Sequence, residues 1–183
     1  MQGQITFQAR RFWRFVSFMC AVIVAARTGV TASEDLTSSY EIVDQRAARG
    51  AASSIRVDVV DAGSNVPIPS RVVVTTSDGQ HPDGGGRGVY SDGRFFVDGT
   101  FTVEVPPGET KLEMSRGPHY VPLAVTLDVQ PQQTMHVRAR LAQWFSPADR
   151  GWFAGDNHVH AQHDANAAVK TDLQYTALQA RAG

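Results

Sequence analysis

A single cysteine, Cys20, stands among the 183 residues. It excludes an intramolecular disulfide and any cysteine-rich zinc site. No apolar run reaches the roughly 18–20 residues of a membrane-spanning helix. Neither sign of charge dominates. The formal net charge of −1 speaks against nucleic-acid binding. Charged residues make up 19% and hydrophobic ones 42%, so the chain is neither disordered nor fibrous and carries enough apolar side chains for a core. Its length suits one domain and part of a second.

The N-terminus reads as an export signal. Arg10, Arg11 and Arg14 precede the apolar run Phe15 to Ala26, and Val30-Thr31-Ala32 follows as a small-residue cleavage site. A basic region, a short apolar core and such a site define a secretory signal. Cleavage is expected after Ala32, giving a periplasmic or extracellular protein. An uncleaved membrane anchor is the other reading, because Arg27 follows the apolar run closely. Cys20 is no lipoprotein signal, since the bulky Phe18 and Met19 stand before it. Removing residues 1–32 takes four arginines, no acidic residue and the only cysteine. Thirteen basic residues against eighteen acidic ones then give −5.

Residues 33–53 are polar and alanine-rich and read as a linker. From residue 54 the pattern becomes that of strands. Ile55, Val57 and Val59 alternate with more polar positions, and Val72 to Thr76 is a β-branched run suited to a buried strand. Phe95 to Val97 and Phe101 to Val105 flank Asp98-Gly99, a hairpin signal. Pro106-Pro107-Gly108 is a turn. Further alternating runs cover Lys111 to Ser115, Leu123 to Val129 and Met135 to Leu141. About seven short strands with regular turn signals predict a β-sandwich over 54–142.

The run Phe101 to Gly108, then Lys111 to Pro118, then Tyr120 and Pro122, resembles the carboxypeptidase-regulatory-like, transthyretin-like sandwich. The resemblance implies a hairpin late in the sandwich and says almost nothing of function. The loop Gly79 to Gly88 holds three consecutive glycines. A phosphate cradle would need a helix N-terminus after it. Strands flank it instead, so it reads as a flexible surface loop. His81, His119 and His136 have no ligand-like spacing and read as surface or strand-face residues.

The chemistry concentrates in Trp152 to Asp164. Three histidines (His158, His160, His163) and two aspartates (Asp156, Asp164) fall within nine residues. On a strand, His-x-His puts both imidazoles on one face, where they can converge on one ion. Val159 between them would face a core. Imidazole suits zinc, iron and manganese, and carboxylates suit the harder of these. An exposed, metal-free strand end and a weak metal-binding tail without catalysis are the other readings of these residues alone.

The stretch GWFAGDNHVHAQHD resembles the opening motif of the CehA/McbA-type metallohydrolases of the polymerase-and-histidinol-phosphatase (PHP) superfamily. Members often place a signal and a regulatory-like sandwich before it. The order here is the same, with Arg140, Leu141 and Trp144 in the connector. The resemblance implies a distorted (β/α) barrel in which metal ions activate water for hydrolysis of a phosphoester or related bond in a small-molecule substrate. It makes His158 and His160 metal ligands, gives Asp156 the role of orienting one of them, and leaves Asp164 or His163 as a further ligand. Asn157 replaces the usual leucine, and the usual downstream serine has no clear match.

After the motif, Thr171 to Gln174 forms a capping-box pattern. Leu173, Ala177 and Ala180 share a helical face, and Gly183 suits the position after the helix. This helix is expected to be the first of the barrel. The fold class is therefore mainly β: a seven-stranded transthyretin-like sandwich followed, over 143–183, by the first β/α unit of an incomplete PHP barrel. The implied site needs further ligands beyond these, so the chain is expected to be an N-terminal fragment, inactive alone. An exported β-sandwich binding module with a histidine-rich tail is the alternative.

Overall fold

The computed structural model describes residues 36–155, 159 and 168–183. Eight strands, β1 (Ser39–Ala47), β2 (Ser53–Asp61), β3 (Pro69–Thr75), β4 (Arg94–Asp98), β5 (Thr100–Val105), β6 (Gly108–Ser115), β7 (Leu123–Val129) and β8 (Gln133–Leu141), precede one helix, α1 (Leu173–Ala182). The strands form two four-stranded sheets, in the orders β1-β8-β2-β5 and β4-β3-β6-β7. β2 and β8 pair in parallel. Every other named pair is antiparallel.

The period-2 pattern accounts for the core. Ile55, Val57 and Val59 of β2 are fully buried, as are Val72 and Val74 of β3 and Val137, Ala139 and Leu141 of β8. They join Phe95, Phe101, Leu112, Met114, Val125 and Leu127 in one continuous cluster. The intervening residues carry the charge, with Arg138 and Arg140 on the outer face of β8 bracketing Glu41 at 3.0 and 3.1 Å.

Two local expectations are corrected. Residues 39–47 are a strand rather than linker. β1 lies at a sheet edge with every residue exposed, so no apolar alternation announces it. Its backbone ladder on β8, with a bulge between Ile42 and Asp44, holds it. Just before it, buried Ser38 donates to the Val121 carbonyl at 2.6 Å and accepts the Ala142 N–H at 2.9 Å. This strand raises the count from the expected seven to eight.

Asp98-Gly99 is not a hairpin. β4 and β5 belong to different sheets, and Gly99, at φ 85°, carries the chain across. A Cβ there would lie 2.6 Å from Pro67 Cβ, so the glycine serves both a left-handed backbone and a close approach. Among the described residues, no helix is long and apolar enough to cross a membrane.

Candidate functional site

His158, His160, Asp164, Asp156 and His163 all lie outside the described residues. Their flanks are described. The chain leaves β8 and is pinned at Trp144, whose backbone N–H donates to the His119 carbonyl at 3.1 Å and whose indole Nε1 donates to the Pro118 carbonyl at 2.9 Å. A single 3-10 turn, Ala148–Arg150, ends at Gly151 with φ 74°. Trp152 and Phe153 are 73% and 84% exposed. Val159 is exposed and belongs to no strand. The expectation that it faces a core is therefore corrected: it is 56% exposed. Among the described residues, no three His, Cys, Asp or Glu side chains group as a metal site.

On the C-terminal side the chain returns to the sandwich. Val169 is buried, and the Lys170 N–H donates to the Arg87 carbonyl at 2.9 Å. Helix α1 follows. Its cap is Asp172, whose carboxylate accepts the Tyr175 N–H at 2.8 Å, in the way an N-cap satisfies the third helical donor. The same carboxylate accepts from Arg87 Nη1 at 2.7 Å. The Tyr175 backbone donor and then the Arg87 contact hold Asp172 below the usual aspartate range.

Helix α1 buries Tyr175 and Ala182, whereas Leu173, Ala177 and Ala180 are exposed. The expected apolar face is thus not the one that packs. The reason is the partner surface on strands β3 and β4. Phe96 points away from the sandwich core, and the Tyr175 ring meets it edge-on at 6.2 Å. The Tyr175 hydroxyl accepts the Phe96 N–H at 3.3 Å, occupying a donor of an edge strand that would otherwise be open to pairing. Burial pushes the Tyr175 hydroxyl above its ordinary value. Gln179 donates to the Tyr90 hydroxyl at 2.7 Å, Arg181 reaches Asp98 at 3.3 Å, and the Ala182 carbonyl accepts the Gly117 N–H at 3.1 Å. A cleft of about 370 Å³ remains between α1 and the sandwich, lined by residues that include Arg87, Phe96, Tyr175 and Arg181.

The glycine-rich loop carries no free anion cradle. Asp83 already accepts the N–H groups of Gly85, Gly86 and Gly88 at 2.8, 3.0 and 2.6 Å. The loop is therefore organised by its own carboxylate. Arg87 within it makes the contacts to α1, and Gly88 lies so close to Ala168 that a Cβ would sit 2.4 Å from that carbonyl oxygen. Sequence reasoning missed Asp83, Arg87, Asp172 and Tyr175 as a group. The available signal was an aspartate ahead of a glycine run, which favours a side-chain-to-backbone turn.

The scattered histidines take structural places. His81 Nδ1 lies 2.9 Å from the Val74 carbonyl oxygen, and the His119 ring packs on Tyr120 at 5.2 Å. His136 Nε2 meets Asp58 Oδ2 on the outer face of the first sheet. No protein-family description, curated protein or solved structure matches the chain.

Proposed function

We propose that these residues form the N-terminal part of an exported, PHP-type metal-dependent hydrolase. A signal occupies 1–32, a transthyretin-like sandwich covers 54–142, and residues 143–183 begin the metal-binding catalytic domain. The observation that carries this reading is Gly155-Asp156-Asn157-His158-Val159-His160 placed directly behind a two-sheet β body. Two imidazoles with the Asp164 carboxylate nearby are donors that zinc, manganese and iron all accept, so the donor set fits the ion the resemblance implies. When bound, such an ion supplies Lewis-acid activation of water for attack on a phosphoester or related centre. His158 and His160 would hold it, and Asp156 would orient a ligand by hydrogen bonding, as outer partners of metal ligands do.

The test is calorimetric titration of the chain with zinc and with manganese, beside His158→Ala and His160→Ala. Binding that disappears in both variants is the expected result. Equal binding by parent and variants overturns the assignment.

A second reading has its own support. Helix α1 packs on strands β3 and β4 of the sandwich, which suits an exported β-sandwich binding module with a histidine-rich tail. Retention of a glycan or protein partner by the chain, unchanged in His158→Ala, favours this second reading, and no retention counts against it.

A further inference from the structure

We propose that a second cleft, between the C-terminal end of α1 and the outer face of the β4-β3-β6-β7 sheet, binds a small carboxylate with a flat apolar body, and that Arg71 takes its carboxylate. All of its residues lie outside the histidine segment, so the site stands under either reading of the function.

The sheet register assembles the cleft. Val72 and Val74 fill the core, so Arg71 and Val73 of β3 face the other way. Arg71 has Phe96 of β4 on one side and Ser115 of β6 on the other, and Arg94 lies opposite Val73. Helix α1 forms the remaining wall. It is fixed there by Tyr175 on Phe96, by Gln179 on the Tyr90 hydroxyl and by the Ala182 carbonyl on Gly117. The space left is about 550 Å³, lined by residues that include Arg71, Arg94, Phe96, Ser115, Pro118 and Gln179. Small-ligand sites span roughly 300–1,000 Å³ and pair apolar walls with a few fixed polar groups. Phe96 and Pro118 supply such walls.

Charge decides the ligand. Arg71 and Arg94 carry the only charged side chains among the lining residues. Arg94 is already neutralised by Asp92 at 2.7 Å, and its guanidinium sits over the Tyr90 ring at 4.6 Å. Arg71 makes no ion pair among the described residues. Its Nε donates to the Ser115 hydroxyl at 3.2 Å, which orients the guanidinium and leaves both Nη groups without a partner among the described residues. Glu113, on the neighbouring strand, is taken by Lys111 at 2.9 Å. One uncompensated positive charge suits one negative charge. A carboxylate supplies it and matches two N–H groups of the planar fork, whereas a phosphate dianion would bring one charge too many. The other clefts lack this excess. The cleft beside Arg87 matches Arg87 and Arg181 with Asp172 and Asp98. A cleft of about 390 Å³ on the β7 side shares Arg71 and Arg94 but adds Asp92 and Glu113.

The test titrates the metal-free full chain with benzoate, followed by two-dimensional amide NMR and by calorimetry. Saturable binding at millimolar concentration that shifts the amides of Ser115, Gly117 and Gln179 is the expected result. Arg71→Gln should weaken it about tenfold, and Arg71→Lys should recover part of the loss. Gln179→Glu brings a carboxylate into the cleft from the helix and leaves the sheet untouched, so it should abolish binding. Benzamide, of the same shape without the charge, should not bind, and inorganic phosphate should bind more weakly than benzoate. Arg56→Gln on the other sheet and His158→Ala should both bind benzoate as the parent does. No saturable binding by the parent, equal binding by Arg71→Gln, or loss of binding in His158→Ala overturns the site. Tighter binding of phosphate than of benzoate overturns the carboxylate assignment.

Discussion

His136 Nε2 lies 2.7 Å from Asp58 Oδ2, joining the parallel strands β8 and β2 across the outer face of their sheet. Thr100 adds a hydrogen bond to Asp58 from β5 at 3.2 Å, and Arg56 lies 3.5 Å away. Burial raises the Asp58 carboxyl, but hydrogen bonds from His136 and Thr100 with the charges of His136 and Arg56 outweigh it and hold the group below the usual aspartate range. A lowered folded value means stability that is complete above the ordinary aspartate value, near pH 4. It is lost as pH falls through the lowered value. Urea midpoints measured across the acid range should fall less steeply for Asp58→Asn than for the parent. Parallel acid limbs would remove Asp58 from the account.

The strand β1 gives a second prediction. A chain starting at Gly50 lacks β1 and Ser38, and leaves the β8 edge open. It should unfold at lower urea than a chain starting at Ser33. Ser38→Ala alone should cost about 2 kcal/mol, because the buried Ala142 N–H and Val121 carbonyl lose their partner. Equal midpoints for both chain lengths would restore the linker reading of this segment.

Three glycines in the connections, Gly50 between β1 and β2 and Gly84 and Gly86 between β3 and β4, should differ sharply in tolerance. At Gly84 a Cβ would lie 2.8 Å from Phe101 and 3.0 Å from Phe95. Both rings are in the core and meet edge-on at 5.4 Å. Gly84→Ala should cost about 1–3 kcal/mol through overpacking. Gly86 has open space but a φ of 72°, so Gly86→Ala should cost about 1 kcal/mol from backbone strain. Gly50 has neither constraint, and Gly50→Ala should be nearly neutral. Thermal denaturation that ranks the three otherwise would contradict this packing.

Tyr175 is the one large side chain that α1 buries. Tyr175→Ala should release the helix at a cost of about 3 kcal/mol in docking. Amide exchange over 173–182 becomes fast while the sandwich keeps its cooperative transition. Tyr175→Phe keeps the ring on Phe96 and loses only the hydroxyl acceptor, so about 1 kcal/mol is expected. Continued protection of α1 in the alanine variant would show that other contacts hold it.

The chain alone should turn over a generic phosphodiester negligibly with zinc, manganese or iron present. Turnover that disappears with a chelator and in His160→Ala would prove that wrong.

The sandwich strands from β2 onward were legible because each has one face on the core, and a buried face imprints a period of two. β1 left no such imprint, since an edge strand held by its backbone can expose both faces. The Asp98-Gly99 pair shows a different limit. Local turn chemistry reports that the chain bends, not whether it returns to the same sheet. At the candidate site, the chemistry of His158, His160 and Asp164 was readable as donor types and spacing alone. The partners of α1 were not, because Arg87 and Asp172 are far apart in the chain.

Residue order sets the alternation that makes a mainly β body, the glycines and prolines that punctuate it, and the cluster of three histidines behind it. Side-chain identity and short-range spacing suffice for those. The assignment of strands to two sheets, the strand hidden in residues 39–47 and the face of α1 that packs came from contacts between distant segments. Phe96, pointing outward on β4, is covered by Tyr175, while Leu173 stays exposed. Contacts between distant segments made that choice, and the helix's own sequence does not encode them.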